Sequence, residues 1–407
     1  MAIYQLENSI QKYAWGSPTA LPLLLGMENP TGEPWAELWM GAHPKAPSLA
    51  VDPATGSREP LDRLIALDPA GMLGAPTASR FGGSLPFLLK ILSASKPLSI
   101  QAHPSKLKAE HGFKREEFKG IPIDAPERNY KDPNHKPETV VALTEFEGLC
   151  GFRPIDEIVD NVKTLASDQL ERLADRMESN PGKLELSVFF YSLISMESHS
   201  KTELLRIARD RSEAIVAAEP PSSPVWRTFS WVLKLMDSHP GDVGALAPLV
   251  LNLFRLEPGQ ALNLQTGEAH AYMCGTAVEI MANSDNVLRG GLTSKYMDVP
   301  EFISALNFDT VSVQAMEAGA PTDGFRPYRC DIPDYAISKA AIDGELKTSR
   351  RAPGPEILLC TEGALRIVGA DGSSASLSRG SSVFVTADEG EYSLSGDGTV
   401  FRAGVPA

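Results

Sequence analysis

An imidazole, an ammonium and a carboxylate fall within four consecutive positions at His135-Lys136-Pro137-Glu138. Metal binding and proton transfer use these groups, and few purely structural needs bring them together. Pro137 forbids a helix interior, so the stretch reads as extended chain. Side chains then alternate, sending Lys136 and Glu138 to one face and His135 to the other. Upstream, Ser99-Ile100-Gln101-Ala102-His103-Pro104 puts Gln101 and His103 on one strand face by the same period of two. Downstream, Gly267-Glu268-Ala269-His270-Ala271-Tyr272 sets His270 just after a glycine turn, where strand side chains project into a barrel mouth. Gln101, His103, Glu138 and His270 make a candidate divalent-metal site of two nitrogens and two oxygens, a donor set that suits zinc better than calcium or magnesium. With one anionic ligand the ion keeps about one unit of positive charge, and so stays a Lewis acid that also attracts anions. The alternative is that Gln101 and His103 are a hydrogen-bonded strand pair and nothing more.

Positioning these residues requires strands on both sides of a helical segment. Residues 85–92 and 97–103 read as two adjacent strands, and residues 106–119 as a charged, helix-prone surface excursion. Asp156 can cap a helix whose apolar positions Ile158, Val159, Val162 and Leu165 recur at helical spacing. Helical patterning runs to about residue 250, broken at residues 220–224 by prolines. From Leu256 the period changes to two, with Gly259, Gly267, Gly275, Gly290 and Gly291 expected to mark turns. Residues from about 311 onward carry short strands with Gly and Asp turns, typical of a sandwich or jelly roll. All seven histidines lie upstream of that part, so it cannot house an imidazole-ligated metal by itself.

Bulk composition narrows the partners. A chain of 407 residues exceeds what one core normally serves, so two or three modules are expected. No apolar run approaches the roughly 20 residues that span a bilayer. The first residues lack the basic and apolar regions of a secretory signal, which makes the cytoplasm the expected location. Cys150, Cys274, Cys330 and Cys360 are too widely spaced for a disulfide framework or a thiolate zinc site. A net charge of −14 disfavours nucleic acid, whereas one small anion can still be captured by converging local cations.

The segment from His270 through Glu279, Asn283-Ser284-Asp285-Asn286 and Arg289 to Lys295, taken with Tyr130 to Glu138, closely resembles the type I phosphomannose isomerase family. Tyr13-Ala14-Trp15-Gly16 and residues 36–45 look like further landmarks, and the resemblance runs from the N-terminus to about Val299. It implies a mainly β fold of cupin or jelly-roll domains with a helical insertion: residues 1–154 with 256–310 as the catalytic part, 155–255 as the insertion and 311–407 as a C-terminal β domain. It also implies reversible, zinc-dependent isomerisation of mannose 6-phosphate and fructose 6-phosphate, with one Zn²⁺ per chain and a phosphosugar substrate. The four ligand candidates coincide with the family's metal positions, its active-site arginine falls on Arg289, and its pocket residues look matched by Lys90, His135, Lys136, Glu279, Asp285 and Lys295. Three positions depart from the pattern: Gly290 stands where Ala is usual, and Ser294 and Ala269 replace prolines.

Aldose–ketose isomerisation moves a proton between C1 and C2 through an enediol, so a base and a stabiliser of negative oxygen are needed. Zinc and Arg289 suit the second task. For the first, Asp285 or His135 is favoured over Glu279, with Lys136 beside them. Lys90, Glu279 and Lys295 are expected to bind substrate, the chain to act as a monomer, and neither nucleic acid nor membrane to be involved. Each assignment has a plainer counterpart. Arg289 could pair with Asp285 four residues earlier, Lys90 could be an edge charge, and Glu279 could satisfy a buried backbone group. Trp15 and Trp39 read as core. A cupin dioxygenase or a non-catalytic phosphosugar-binding cupin are the alternative functions.

Overall fold

Residues 87–94, Phe-Leu-Leu-Lys-Ile-Leu-Ser-Ala, form a strand, Phe87–Ala94, in which every position is buried. In the computed structural model, which describes residues 3–52, 55–349 and 354–406, the two faces of this strand meet different surroundings. Phe87, Leu89 and Ile91 enter a large apolar core shared with Ile337, Ile357, Leu359 and Phe384. Leu88 and Leu92 pack on the opposite side with Trp39, Met281, Val140 and Tyr272, which leaves the intervening Lys90 ammonium on that second face by strand alternation. One sheet therefore has an apolar back and a front that carries polar groups.

The strand His270–Ala282 is the hub of this sheet. It pairs antiparallel with Phe87–Ala94, Ile100–Ala102, Glu138–Ala142 and Phe146–Phe152. The segments expected to be adjacent, Phe87–Ala94 and Ile100–Ala102, each pair with the hub instead of with one another. Its length of 13 residues depends on Gly275, which bends the strand where a turn was expected. Gly275 has φ 113° and follows a register shift between Tyr272 and Cys274, and a Cβ there would lie 2.4 Å from the Glu145 carbonyl oxygen. The bulge lets one strand serve two differently oriented sets of partners.

The helical patterning is realised in Ile155–Lys163, Asp168–Ser179, Lys183–Ile194, Ser198–Ala218 and Pro224–Ser238, followed by a 3₁₀ turn at Val243–Leu249. Asp156 sits in the first turn of its helix, after a Pro154 cap, so it acts on the helix dipole and not as the capping group. The helices share a core with Ala269, Ala271 and Met273. These alternate with His270 and Tyr272, so the helical segment fixes the hub strand from behind. Among the described residues, no helix is long and apolar enough to cross a membrane.

The second sheet holds the C-terminal strands, with Ala336–Ser349, Glu391–Gly404 and Glu356–Gly369 paired in sequence along most of their lengths. The N-terminal strand Ile3–Glu7 joins it by pairing with Ser382–Val385, and Leu49–Val51 and Arg58–Pro60 follow. The start of the chain thus belongs to the sheet of its end, a long-range pairing that alternation within either segment does not encode.

The short strand Leu288–Gly291 closes the front against Ile100–Ala102. Gly290 replaces the Ala of the resembled pattern for a local reason: a Cβ there would lie 2.0 Å from the ring of the fully buried Phe302. Gly290→Ala is expected to destabilise the protein by ~1–3 kcal/mol through overpacking, read as a lower denaturant midpoint at unchanged slope, whereas an unchanged midpoint would mean that Phe302 yields freely.

Candidate metal centre

Strand register gathers the expected ligands. Gln101 lies opposite His270 on one side and opposite Arg289 on the other, and directly opposed residues project to the same face. His103 is two residues on from Gln101, on the face that period-two alternation shares with it. Glu138 opens the strand Glu138–Ala142 on the far side of the hub, opposite Met281. Residues from four chain segments thus meet at one place, and His103, Glu138 and His270 are all buried with ligand atoms within 4.8 Å of one another.

The ring orientations carry the chemistry. His103 donates its Nδ1–H to the Asn286 carbonyl at 2.6 Å, and His270 donates its own to the Glu268 carbonyl at 2.9 Å. A neutral imidazole protonated on Nδ1 has a bare lone pair on Nε2. Both Nε2 atoms are buried without a hydrogen-bond partner, yet they face the Glu138 carboxylate at 3.2 and 3.5 Å. Three acceptors aimed at one another repel unless a cation lies between them, and neutral imidazoles plus a carboxylate oxygen are the donors that zinc takes. The residues therefore fit the metal. Burial first, and then the Lys136 cation, push His103 down to about 4, so its imidazole is neutral and ready to ligate. Burial alone would raise Glu138, but the Lys136 cation leads the influences that overcome it and hold the carboxylate well below its ordinary range.

Backbone contacts lock this arrangement. Gly267, at φ 84°, donates its N–H to the His103 carbonyl at 2.8 Å, tying the two histidine segments together. Asn286, fully buried, accepts from the Lys131 N–H and donates to the carbonyls of Asp132 and Asn134. Its own carbonyl is the one that orients His103, so one side chain joins the segment before Glu138 to the loop before Arg289. Asn286 was not singled out from the sequence, although it lies inside the most distinctive stretch.

Around the centre runs a second layer of charge. Lys136 Nζ is 3.1 Å from Glu138 Oε1. Lys90, opposite Glu279 and Trp39 in register, lies 3.0 Å from Glu279 and 3.6 Å from Glu37, and Tyr272 donates to Glu279 at 2.9 Å. Burial would lower Lys90, but Glu279 and Glu37 overcome it and raise it. Burial raises Glu279 despite Lys90, with Glu138 and Glu37 adding to the effect. Neither residue is the edge charge or backbone partner of the plainer reading. Trp39 is core in burial but polar in use, since its Nε1–H donates to Glu37 at 2.6 Å.

Toward the surface, Asp285 lies 2.9 Å from Lys45 and 3.5 Å from His43. Burial would raise it, but His43 and Lys45 overcome this and keep it below the ordinary carboxylate value. Asp285 is therefore partnered by Lys45 and His43, and among the described residues Arg289 does not pair with it; the guanidinium donates to the Val287 carbonyl at 3.4 Å. Lys295, exposed, is lowered by partial burial first and then by the Arg289 and Lys45 cations. His135 goes elsewhere: its Nε2 meets Asp334 of the C-terminal part at 2.8 Å, as strand alternation away from Lys136 and Glu138 would have it. His43 and Lys45 were legible only as landmarks, although a period of two places them on one face.

His43 and His103 are each pushed down to about 4 from an ordinary 6.5, burial being the larger cause in both. Between those values the unfolded chain binds protons that the folded chain refuses, so stability falls as pH falls. The melting temperature of the metal-free protein is expected to drop from about pH 6.5 to about pH 4, as measured by calorimetry after chelation; a flat profile would contradict the buried neutral imidazoles.

Comparison with known proteins agrees with this geometry. A family model described as phosphomannose isomerase type I, catalytic domain, matches residues 3–155, and one described as mannose-6-phosphate isomerase, cupin domain, matches residues 330–405. The chain is 40% identical over 404 residues to mannose-6-phosphate isomerase of Escherichia coli (strain K12), covering 98% of each chain. Among solved structures, a mutant of phosphomannose isomerase from Salmonella typhimurium matches with a TM-score of 0.90 at 37% identity, covering 100% of both chains. A zinc-bound mannose 6-phosphate isomerase matches with a TM-score of 0.89, also at 37% identity and full coverage.

Proposed function

The chain belongs to the type I phosphomannose isomerase family, and we propose a division of labour among its site residues on that premise. The activity is the zinc-dependent interconversion of mannose 6-phosphate and fructose 6-phosphate on a cupin scaffold. The observation that carries the residue assignments is the pair of unsatisfied Nε2 atoms facing one buried carboxylate. His103, Glu138 and His270, with Gln101 beside them in register, would hold the ion. When bound, zinc supplies Lewis acidity that polarises the sugar's carbonyl and hydroxyl oxygens.

The chain's own groups do the rest. Arg289 shares the Gln101 face, so its fixed positive charge stands where the enediolate oxygens develop. Lys136 lies between the centre and the mouth: it touches Glu138, and its charge is felt by Asp285 and His43. It is placed to donate to a substrate oxygen. Asp285 is ionised and a quarter exposed at the mouth, so its carboxylate is open to a proton moving between C1 and C2, and a substrate that displaces Lys45 from it would raise its basicity. Lys90 and Glu279 form a buried pair that fixes the pocket wall and, with Lys295, lines the substrate's path. Lys295, crowded by the Arg289 and Lys45 cations, is relieved when a phosphate dianion enters. His135 is assigned to the support of the site, since its Nε2 is taken by Asp334. All of these groups come from one chain, which supports action as a monomer, and the four free thiols support a cytoplasmic setting.

Zinc content and turnover separate the roles. His270→Ala is expected to lose bound zinc by elemental analysis. Arg289→Ala is expected to keep stoichiometric zinc and lose about 10²–10³-fold in kcat, the effect of removing one preorganised stabiliser, in a coupled assay of fructose 6-phosphate formation. Equal zinc loss in both variants would undo the division.

A further inference from the structure

Glu138 begins its strand directly after Pro137, and the seven residues before it, Lys131 to Pro137, form no helix or strand. Glu138 is the last rung of its ladder, opposite Leu264 on one side and Met281 on the other, and the Pro137 carbonyl accepts from the Ala282 N–H at 3.1 Å, whereas Lys136 lies beyond the strand. Such sites need supporting contacts, because displacements of about 0.5 Å already compromise them. The support lies on the back face, opposite Lys136 and Glu138. Thr139 Oγ1 lies 3.0 Å from Tyr335 Oη and 3.4 Å from Cys330 Sγ, and it donates to Asn263 Oδ1 at 2.8 Å. Asn263 is the register partner of Thr139 and donates onward to the Arg329 carbonyl. Four residues earlier, His135 meets Asp334. Asp334 and Tyr335 are consecutive and both buried, Tyr335 fully, and they belong to the C-terminal part that the zinc ligands do not use.

We propose that Asp334 and Tyr335 are positioning residues for the isomerisation: the C-terminal domain grips His135 and Thr139 from behind, and so sets where Lys136 and Glu138 stand in front. The proposal rests on reading Glu138 as a zinc ligand and Lys136 as a substrate-facing cation. Opposite sides of one short segment are the coupling device, since His135 and Thr139 meet the C-terminal part while Lys136 and Glu138 meet each other in front. Apolar packing between the sheets supplies adhesion but is nondirectional, whereas these two hydrogen bonds fix register and height at the residues that flank the ligand. Burial pushes the Tyr335 hydroxyl well above its ordinary value, so it remains a donor to Thr139 at every working pH.

The test uses the full-length protein and three readouts: zinc affinity by competition with a chromogenic chelator, kcat and KM in the coupled assay, and melting temperature. Tyr335→Phe keeps the buried ring and removes only the hydroxyl. Asp334→Ala removes the acceptor, and Asp334→Asn restores an acceptor of the same shape. Ile337→Val thins the same inter-sheet core without removing any polar atom of the grip. Tyr335→Phe and Asp334→Ala are expected to weaken zinc binding several-fold and lower kcat about tenfold with little change in KM, Asp334→Asn to recover most of both, and Ile337→Val to lower only the melting temperature. If Tyr335→Phe and Asp334→Ala behave like Ile337→Val, losing thermal stability alone, the positioning role is overturned. The chelator measurement needs no sugar, so a failure of the isomerase reading, seen as zinc-loaded wild type without turnover, is distinct from a failure of the grip.

Discussion

A buried carboxylate that two imidazole lone pairs point toward cannot persist without a cation, and the rest of this structure is arranged around that requirement. Glu138 is 2% exposed, and each histidine beside it has its Nδ1–H committed to a backbone carbonyl. The geometry therefore selects the metal-binding tautomer in advance. It also explains the second layer of charge. Glu37, Glu138 and Glu279 are all buried with Lys90 and Lys136 among them, so with all five charged they leave one net negative charge that a divalent ion converts to one net positive. A pocket balanced in this way attracts an anionic sugar while keeping its carboxylates ionised or shared, and it does so inside a chain of net charge −14.

The fold meets this requirement by giving each face of one sheet a single task. Ala269, just before the hub strand, and Ala271 and Met273 on it bind the helical insertion while His270 and Tyr272 face the site. On Phe87–Ala94, three large apolar residues bind the C-terminal sheet while Lys90 faces forward. Helical segment and C-terminal domain are thus both supports of the same working face, held from two directions. Gly275 makes this possible, because its bulge rotates the hub strand between the two supports.

Much of this was legible in the sequence where strand periodicity and ligand chemistry coincide. Alternation puts Gln101 with His103 and Lys136 with Glu138; Lys136 and Glu138 meet at 3.1 Å, and Gln101 lies opposite His270 in register. The same rule sent His135 to the opposite face, and the geometry agrees, although the family resemblance drew it toward the active centre. What was not legible depends on contacts between distant segments. Nothing local indicates that Asn286 would orient His103, that Asp334 would capture His135, or that Ile3–Glu7 would pair with Ser382–Val385. Asp285 reads naturally as the partner of Arg289 by spacing, but Arg289 lies opposite Gln101 in register, and Lys45, 240 positions upstream, takes the carboxylate instead. Gly275 was misread as a turn because φ > 0 serves bulges and turns alike.

The central claim is that one zinc ion sits between the two histidine Nε2 atoms, the Glu138 carboxylate and Gln101. Anomalous X-ray scattering at the zinc edge, from crystals of the protein purified without added chelator, tests it most directly. The account predicts a single strong peak per chain at roughly 2.0–2.2 Å from those donor atoms. A peak located elsewhere, or none at this cluster in a protein that isomerises mannose 6-phosphate, would contradict it.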